Sequence, residues 1–220
     1  MKDLKPHKGA FYLHRLIAEG EHEHQDFKYS VSDARKIARS ISAFANNSGG
    51  RLLIGVKDNG SIAGVRNEED LYVVESAGAI YCQPPQEVSF TAYRAEGGEV
   101  VFIAEIAESL TKPVMVSDDD GSLRAYYRVK DENIAASPLM IDCWNRRRQS
   151  EAAALRLSAA ETMLLDRLDS GLQLTIDGYM KLSHQSRRAA EMSASNMLAM
   201  GVIRLVYDGQ QWCMAAAMQE

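Results

Sequence analysis

Residues 42–60 read SAFANNSGGRLLIGVKDNG, and the fold class turns on how this stretch divides. Upstream, residues 31–47 place Ile37, Ile41, Phe44 and Ala45 at helical spacing, with Ser30 or Ser32 as the expected N-cap. Asn47-Ser48-Gly49-Gly50 ends that helix, since glycine accepts the left-handed backbone that a helix terminus needs. RLLIGVKD then reads as a buried strand, and Gly55 within it marks a kink or a close backbone approach. Asn59-Gly60 is the expected two-residue hairpin turn, with residues 61–65 as the partner strand.

Working outward, residues 11–18 form a short amphipathic helix stopped by Gly20, and a charge-crowded segment follows. Residues 67–82 predict a second helix, acidic in its first turn and ended by Pro84-Pro85. Period-two apolar spacing predicts strands over 87–95 and 99–106, flanking Gly97-Gly98, and over 113–119 and 123–129, flanking Asp120-Gly121. Helix, strand pair, helix and then a run of strands predicts an α+β domain with a mixed sheet and no repeated βαβ unit. Arg146-Arg147-Arg148-Gln149-Ser150 reads as a polar break. Beyond it come three helices (157–171, 175–184, 186–203) and a hairpin with Asp208-Gly209 at its tip, the order of a small winged helix-turn-helix domain. The expected domains are therefore 1–145 and 151–220.

The chain has 220 residues, 46% hydrophobic and 25% charged, which excludes a disordered tail and a collagen-like fibre. The three cysteines, Cys82, Cys143 and Cys213, form no CxxC pair and predict reduced thiols in a cytoplasmic protein. No apolar run approaches the ~20 residues that span a bilayer, so no membrane association is expected. The net charge is −5, and residues 1–150 carry 19 Lys/Arg against 22 Asp/Glu. Any contact with nucleic acid therefore has to come from local patches.

Four groups of residues could carry chemistry. Glu21, Asp26 and Asp58, with Lys28 beside them, are carboxylates of the kind that hold a divalent cation, although Glu21 and Asp26 need a bend to converge. A solvated acidic stretch is the plainer reading. Arg35, Lys36 and Arg39 line one side of the 31–46 helix and could follow a phosphate backbone. Arg124, Tyr126 and Arg128 share a strand face, with Tyr127 and Lys130 interleaved, a mixture suited to RNA or to an ordinary cross-strand ladder. In the C-terminal part, Arg187 and Arg188 open the third helix, where helix-turn-helix proteins contact DNA. The loop from Asn46 to Gly50 lacks the Lys-Ser/Thr ending of a phosphate loop, and the histidines form no convincing ligand set.

Residues from about 19 to 136 resemble the Schlafen/AlbA-like DNA-binding domain family. The likeness rests on Gly20-Glu21, Asp26-Phe27-Lys28, residues 41–46, Gly49-Gly50, Ile54-Gly55-Val56, Asp58-Asn59-Gly60 and Gly64, and later on Lys112-Pro113 and Tyr126-Tyr127-Arg128. The resemblance implies an α+β domain that binds nucleic acid, with a C-terminal winged helix in bacterial members, which are usually described as transcriptional regulators. Some animal Schlafens look like metal-dependent endoribonucleases with three carboxylates, roles that would fall on Glu21, Asp26 and Asp58 with Mg or Mn as cofactor. Asp26 stands where that family usually has Glu. Animal enzymes pair two such lobes, so a single lobe implies a homodimer.

Three functions follow as expectations. The first is a DNA-binding regulator that contacts DNA or structured RNA through Lys28, Arg35, Lys36, Arg39, Arg128, Arg187 and Arg188. The second is a divalent-metal endoribonuclease using the three carboxylates. The third is a protein-docking module of a signalling or defence system.

Overall fold

The computed structural model describes residues 4–65, 69–118, 120–149 and 157–217. The first half of the chain is assembled on helix α2 (Ala34–Asn46). Its N-cap is Asp33, whose carboxylate accepts from the backbone N–H of Arg35 and Lys36 at 3.0 and 3.2 Å. This is one residue after Ser32 and three after Ser30, the expected caps, because a carboxylate satisfies the orphan amides and also favours the positive end of the helix dipole.

On one side of α2 lies a five-stranded sheet with the order β1 (His7–Lys8), β5 (Val88–Arg94), β6 (Val100–Ile106), β3 (Gly50–Ile54), β2 (Gln25–Lys28). Strand β2 runs parallel to β3, with Asp26 opposite Leu52, and β1 runs parallel to β5, while the inner pairs are antiparallel. The sheet is mixed, as expected. Alternation along β3 sends Leu52 and Ile54 towards α2 and Leu53 to the opposite face. There helix α1 (Ala10–Glu19) covers it with Leu13 and Leu16, which pack with Phe27 and Ile103.

A second, four-stranded sheet has the order β4 (Cys82–Gln83), β7 (Met115–Ser117), β8 (Leu123–Val129), β9 (Glu132–Ala135). Helix α3 (Glu69–Ser76) leads into it through a π-helical turn at Ala77–Tyr81. Residues 67 and 68, the expected start of that helix, lie outside the described residues. Ile37, Ile41 and Phe44 of α2 share one core with Ile54, Phe102 and Ala104 of the first sheet and with Val114, Val116 and Tyr126 of the second. Two polar side chains on the buried face of α2 tie the helix down. Asn46 donates to the carbonyls of Val114 and Tyr126, both at 2.9 Å, and accepts from the Val114 N–H at 2.7 Å. Ser42 donates to the Val114 carbonyl at 2.8 Å and accepts from the Tyr126 N–H at 3.0 Å.

The expected hairpin of residues 51–65 is corrected by this topology. Strand β3 finds its partners in β2 and β6, and the Asn59-Gly60 turn closes only a single bridge between Val56 and Ile62. The reason lies at Gly55, where φ is +97° and a Cβ would sit 2.9 Å from the Gly64 carbonyl carbon and the Val65 nitrogen. Backbone crosses backbone there, and the strand cannot continue.

By its contacts the chain divides into Met1–Ala136 and Ser137–Glu220. The second unit contains α4 (Pro138–Gln149), α5 (Ala159–Asp169), α6 (Ile176–Ser183), α7 (Arg187–Ala199) and the antiparallel hairpin β10 (Ile203–Tyr207) and β11 (Trp212–Ala216). Helix α4 was not anticipated: Arg146 to Gln149 continue a helix, where a polar break was expected. Leu139 and Cys143 of α4 join Leu164, Leu168, Tyr179, Ala194, Leu198 and Met214 in one core. Ser158 and Glu161 cap α5 reciprocally. The three residues between α6 and α7 begin with His184 in the left-handed conformation, and Leu174 pairs with Met214 beside the hairpin. Among the described residues no helix is long and apolar enough to cross a membrane.

Candidate functional site

The chain turns just before β2 and so brings Glu21 and Asp26 together. A tight turn follows α1, in which His22 and Gln25 exchange backbone hydrogen bonds at 2.9 and 3.2 Å, and it supplies the bend that the spacing required. The fully buried Gln25 side chain holds this turn to α1, donating to the carbonyls of Leu16 and Gly20 at 2.6 and 2.7 Å. Glu21 then accepts from the Phe27 N–H at 2.8 Å and lies against the Asp26 carboxyl.

The two carboxyls titrate in opposite directions. Burial, and then the hydrogen bond to Asp26, push Glu21 up to about 6 from an ordinary 4.5. Burial works to raise Asp26 as well, but it is outweighed by the hydrogen bond from Glu21, by Lys28 and by Arg128, so Asp26 stays below the usual carboxylate range. Asp26 is the anion of this site, and Glu21, while protonated, is its donor. Lys28 Nζ lies 2.7 Å from Asp26 Oδ2, and Arg128 Nη2 lies 3.4 Å from Oδ1.

Arg128 is therefore corrected from a surface contact to a core residue. Its side chain is 2% exposed. It donates to Asn133 Oδ1 at 2.9 Å and to the carbonyls of His22 and Gln25 at 3.3 Å, and it stacks over Phe44. Such a guanidinium neutralises Asp26 and ties β8 to the turn before β2; it does not meet solvent.

Asp58 is exposed in the turn after β3, beyond the strand end. Among the described residues no group of three His, Cys, Asp or Glu is arranged to hold a metal ion. Asp58 is thus not gathered with Glu21 and Asp26, and Asp26 is already held by two cations.

The basic face of α2 is partly engaged. Arg39 pairs with the buried Asp118 through Nη2 at 2.8 Å, and Tyr126 donates to the same carboxylate at 2.9 Å. Arg35 stacks over Tyr81, and Lys36 is exposed. Arg124 reaches Asp118 and Asp120 at 3.4 and 3.1 Å. In the second unit Arg187 pairs with Asp177 and Glu191. Arg188 is exposed, with no ion pair among the described residues.

The glycine loop opens onto a cleft of about 600 Å³ lined by His24, Gly49, Arg51, Glu87, Glu105 and Glu108. His24 Nδ1 lies 3.0 Å from the Gly49 carbonyl, and Arg51 is held by Glu19 and Gln25 at 2.6 and 2.7 Å. Sequence reasoning missed Gln25, Arg51 and Asn46. Of these, Asn46 was legible, with Ser42, as a polar residue on the helix face that carries Ile37, Ile41 and Phe44.

No curated protein matches the chain. Among solved structures it is similar to the DIP2311 protein from Corynebacterium diphtheriae, with 20% identity and a TM-score of 0.45, over 74% of this chain and 34% of that one. The chain thus spans about a third of that protein's length. It is also similar to the N-terminal domain of a protein described as related to the ATP-dependent DNA helicase RecG, from Nitrosomonas europaea. That match has 20% identity and a TM-score of 0.42, over 68% of this chain and 95% of that one. The family model described as Schlafen, AlbA_2 matches residues 21–137, the segment that contains α2, the whole second sheet, every strand of the first except β1, and the Glu21–Asp26–Arg128 cluster. The chain belongs to the Schlafen, AlbA_2 family.

Proposed function

We propose that this protein binds nucleic acid as a regulator of the DNA-binding type, with the second unit acting as a winged helix-turn-helix. One observation carries the reading: α6, a three-residue turn and α7, with Arg187 and Arg188 opening α7, are followed directly by the β10–β11 hairpin. A recognition helix reads the major groove with its N-terminal residues, and a hairpin wing contacts the neighbouring backbone. Membership of the Schlafen, AlbA_2 family supports a second contact from the first unit. There exposed Lys36 and half-buried Arg35, near the start of α2, are the groups best placed to meet phosphate. Lys28, Arg39 and Arg128 are reassigned to the ion pairs that hold the domain together.

A homodimer would supply two such units for a two-fold site. Three buried free thiols, Cys82, Cys143 and Cys213, support a reducing, cytoplasmic setting. The test is a set of gel shifts with labelled duplex DNA, single-stranded DNA and tRNA, with and without manganese. A shifted, intact duplex band that weakens with salt is the expected result. Metal-dependent fragments of tRNA would replace this reading with a nuclease, and no shift at low salt would replace it with a protein-docking module.

A further inference from the structure

Arg188, Glu191, Met192 and Ser195 fall at i, i+3, i+4 and i+7 along α7 and share one face. Across from them run Leu139, Asp142 and Arg146 of α4, and together the two helices enclose a pocket of about 350 Å³. That is within the range of small-molecule sites, roughly 300–1,000 Å³. Leu139 and Met192 give it apolar walls.

The charges lining the pocket are unequally satisfied. Asp142 is engaged by Arg146 Nε at 2.7 Å, and Arg146 Nη1 also donates to Asn196 at 2.9 Å. Glu191 is engaged by Arg187 at 3.5 Å. Arg188 at the mouth has no ion-pair or hydrogen-bond partner among the described residues. At the inner end, two helical turns and about 10 Å along the axis from Arg188, Ser195 is fully buried. Its Oγ makes no hydrogen bond of normal geometry among the described residues. Burial works to raise the nearby Asp142 carboxyl, and Arg146 together with the Ser195 hydroxyl holds it low. A buried hydroxyl without a well-formed partner costs free energy that a ligand can recover.

The donors not fully spent are thus the Arg188 guanidinium at the mouth and, at the inner end of an apolar-walled groove, the Ser195 hydroxyl, which leans on Asp142 without a well-formed bond. We propose that the pocket between α4 and α7 binds a small organic anion, with its carboxylate or phosphate on Arg188, its apolar body against Leu139 and Met192, and a polar atom at Ser195. This assignment does not depend on the nucleic-acid reading, because it concerns a groove between two helices of one unit.

The experiment is ligand-observed saturation-transfer NMR on the full chain, without nucleic acid, using phenylacetate, phenyl phosphate, phenylacetamide and benzylamine as probes. At least one of the two anions should bind, and which of them binds more tightly distinguishes a carboxylate from a phosphate headgroup. The amide and the amine should bind about tenfold more weakly or not at all. Arg188→Gln should weaken the anion about tenfold, Ser195→Ala should weaken it less, and Glu191→Gln should leave it as tight or tighter. Arg188 and Glu191 lie at the rim of the pocket, so their variants keep the fold, which a thermal melt verifies. Equal binding of amide or amine, unchanged affinity in Arg188→Gln, or no binding by any probe up to about 10 mM would overturn the assignment.

Discussion

Replacing Arg128 with methionine keeps most of the side-chain volume and removes the guanidinium from a site where it is 2% exposed. Two carbonyls, of His22 and Gln25, and the Asn133 amide oxygen each lose a donor. At ~1 kcal/mol per hydrogen bond lost, that is about 3 kcal/mol. Asp26 also loses one of its two cations and keeps Lys28 at 2.7 Å. Removing one partner of a buried pair costs about 3–5 kcal/mol, so the two estimates agree. For a unit of this size ~3 °C of melting temperature accompanies each kcal/mol, and the expected loss is about 10–15 °C. The assay is a thermal melt followed by far-UV circular dichroism. Trp144 and Trp212 both lie in the second unit, so tryptophan emission reads that unit separately. Adding Asp26→Asn should recover part of the loss, with a coupling of ~1–3 kcal/mol. A shift under about 2 °C, or no recovery in the double variant, would mean that Arg128 does not hold the turn before β2 to β8.

Other outcomes follow from the same geometry. Asn46→Leu leaves the buried Val114 N–H and the Tyr126 carbonyl unpaired, while the Val114 carbonyl keeps Ser42, and should cost about 2 kcal/mol or more in urea denaturation. Gly50→Ala drives a Cβ to 2.3 Å from the Phe44 ring and should cost ~1–3 kcal/mol in the same assay. Glu21 has a folded-state pKa raised to about 6, so the native state holds this proton more tightly than the unfolded chain. Its stabilising contribution is complete below the ordinary 4.5 and is lost as pH rises through about 6. Glu21→Gln should therefore match the parent near pH 4 and exceed it in stability above pH 7, since His22 and Asp26 titrate in both proteins; urea midpoints at the two pH values check the sign.

The path of the chain through the first unit was largely legible in the sequence. Ile37, Ile41 and Phe44 announce α2, and the alternation in residues 87–95 and 99–106 announces β5 and β6. Asp208-Gly209 does the same for the last hairpin. What failed was partner choice. A Cβ-free crossing at Gly55 stops β3 from folding back on residues 61–65, and it depends on Gly64 and Val65, which meet Gly55 only in three dimensions. Helix α4 was hidden because its three consecutive arginines read as a break, whereas Arg146 and Arg147 spend their donors on Asp142, Asn196 and the carbonyls ending α7. The candidate site misled for a related reason. Arg128 sits in the same strand pattern as exposed Arg124, and only the register of β8 over Phe44 and Asp26 decides which guanidinium is buried. Asp58 follows a strand whose parallel partner bears Asp26, yet the turn carries it past the strand end.

DNA binding by the two proposed faces is read by fluorescence anisotropy of a labelled DNA duplex titrated with the full chain across a salt series. The parent should bind with an affinity that falls linearly in log–log form. The double variant Lys36→Glu, Arg188→Glu should bind more weakly with a slope reduced by about 2, one for each phosphate contact removed. Arg39→Gln, at an arginine engaged by Asp118, should leave that slope unchanged. Absence of binding at low salt, or a slope that is the same in the parent and the double variant, would contradict the claim.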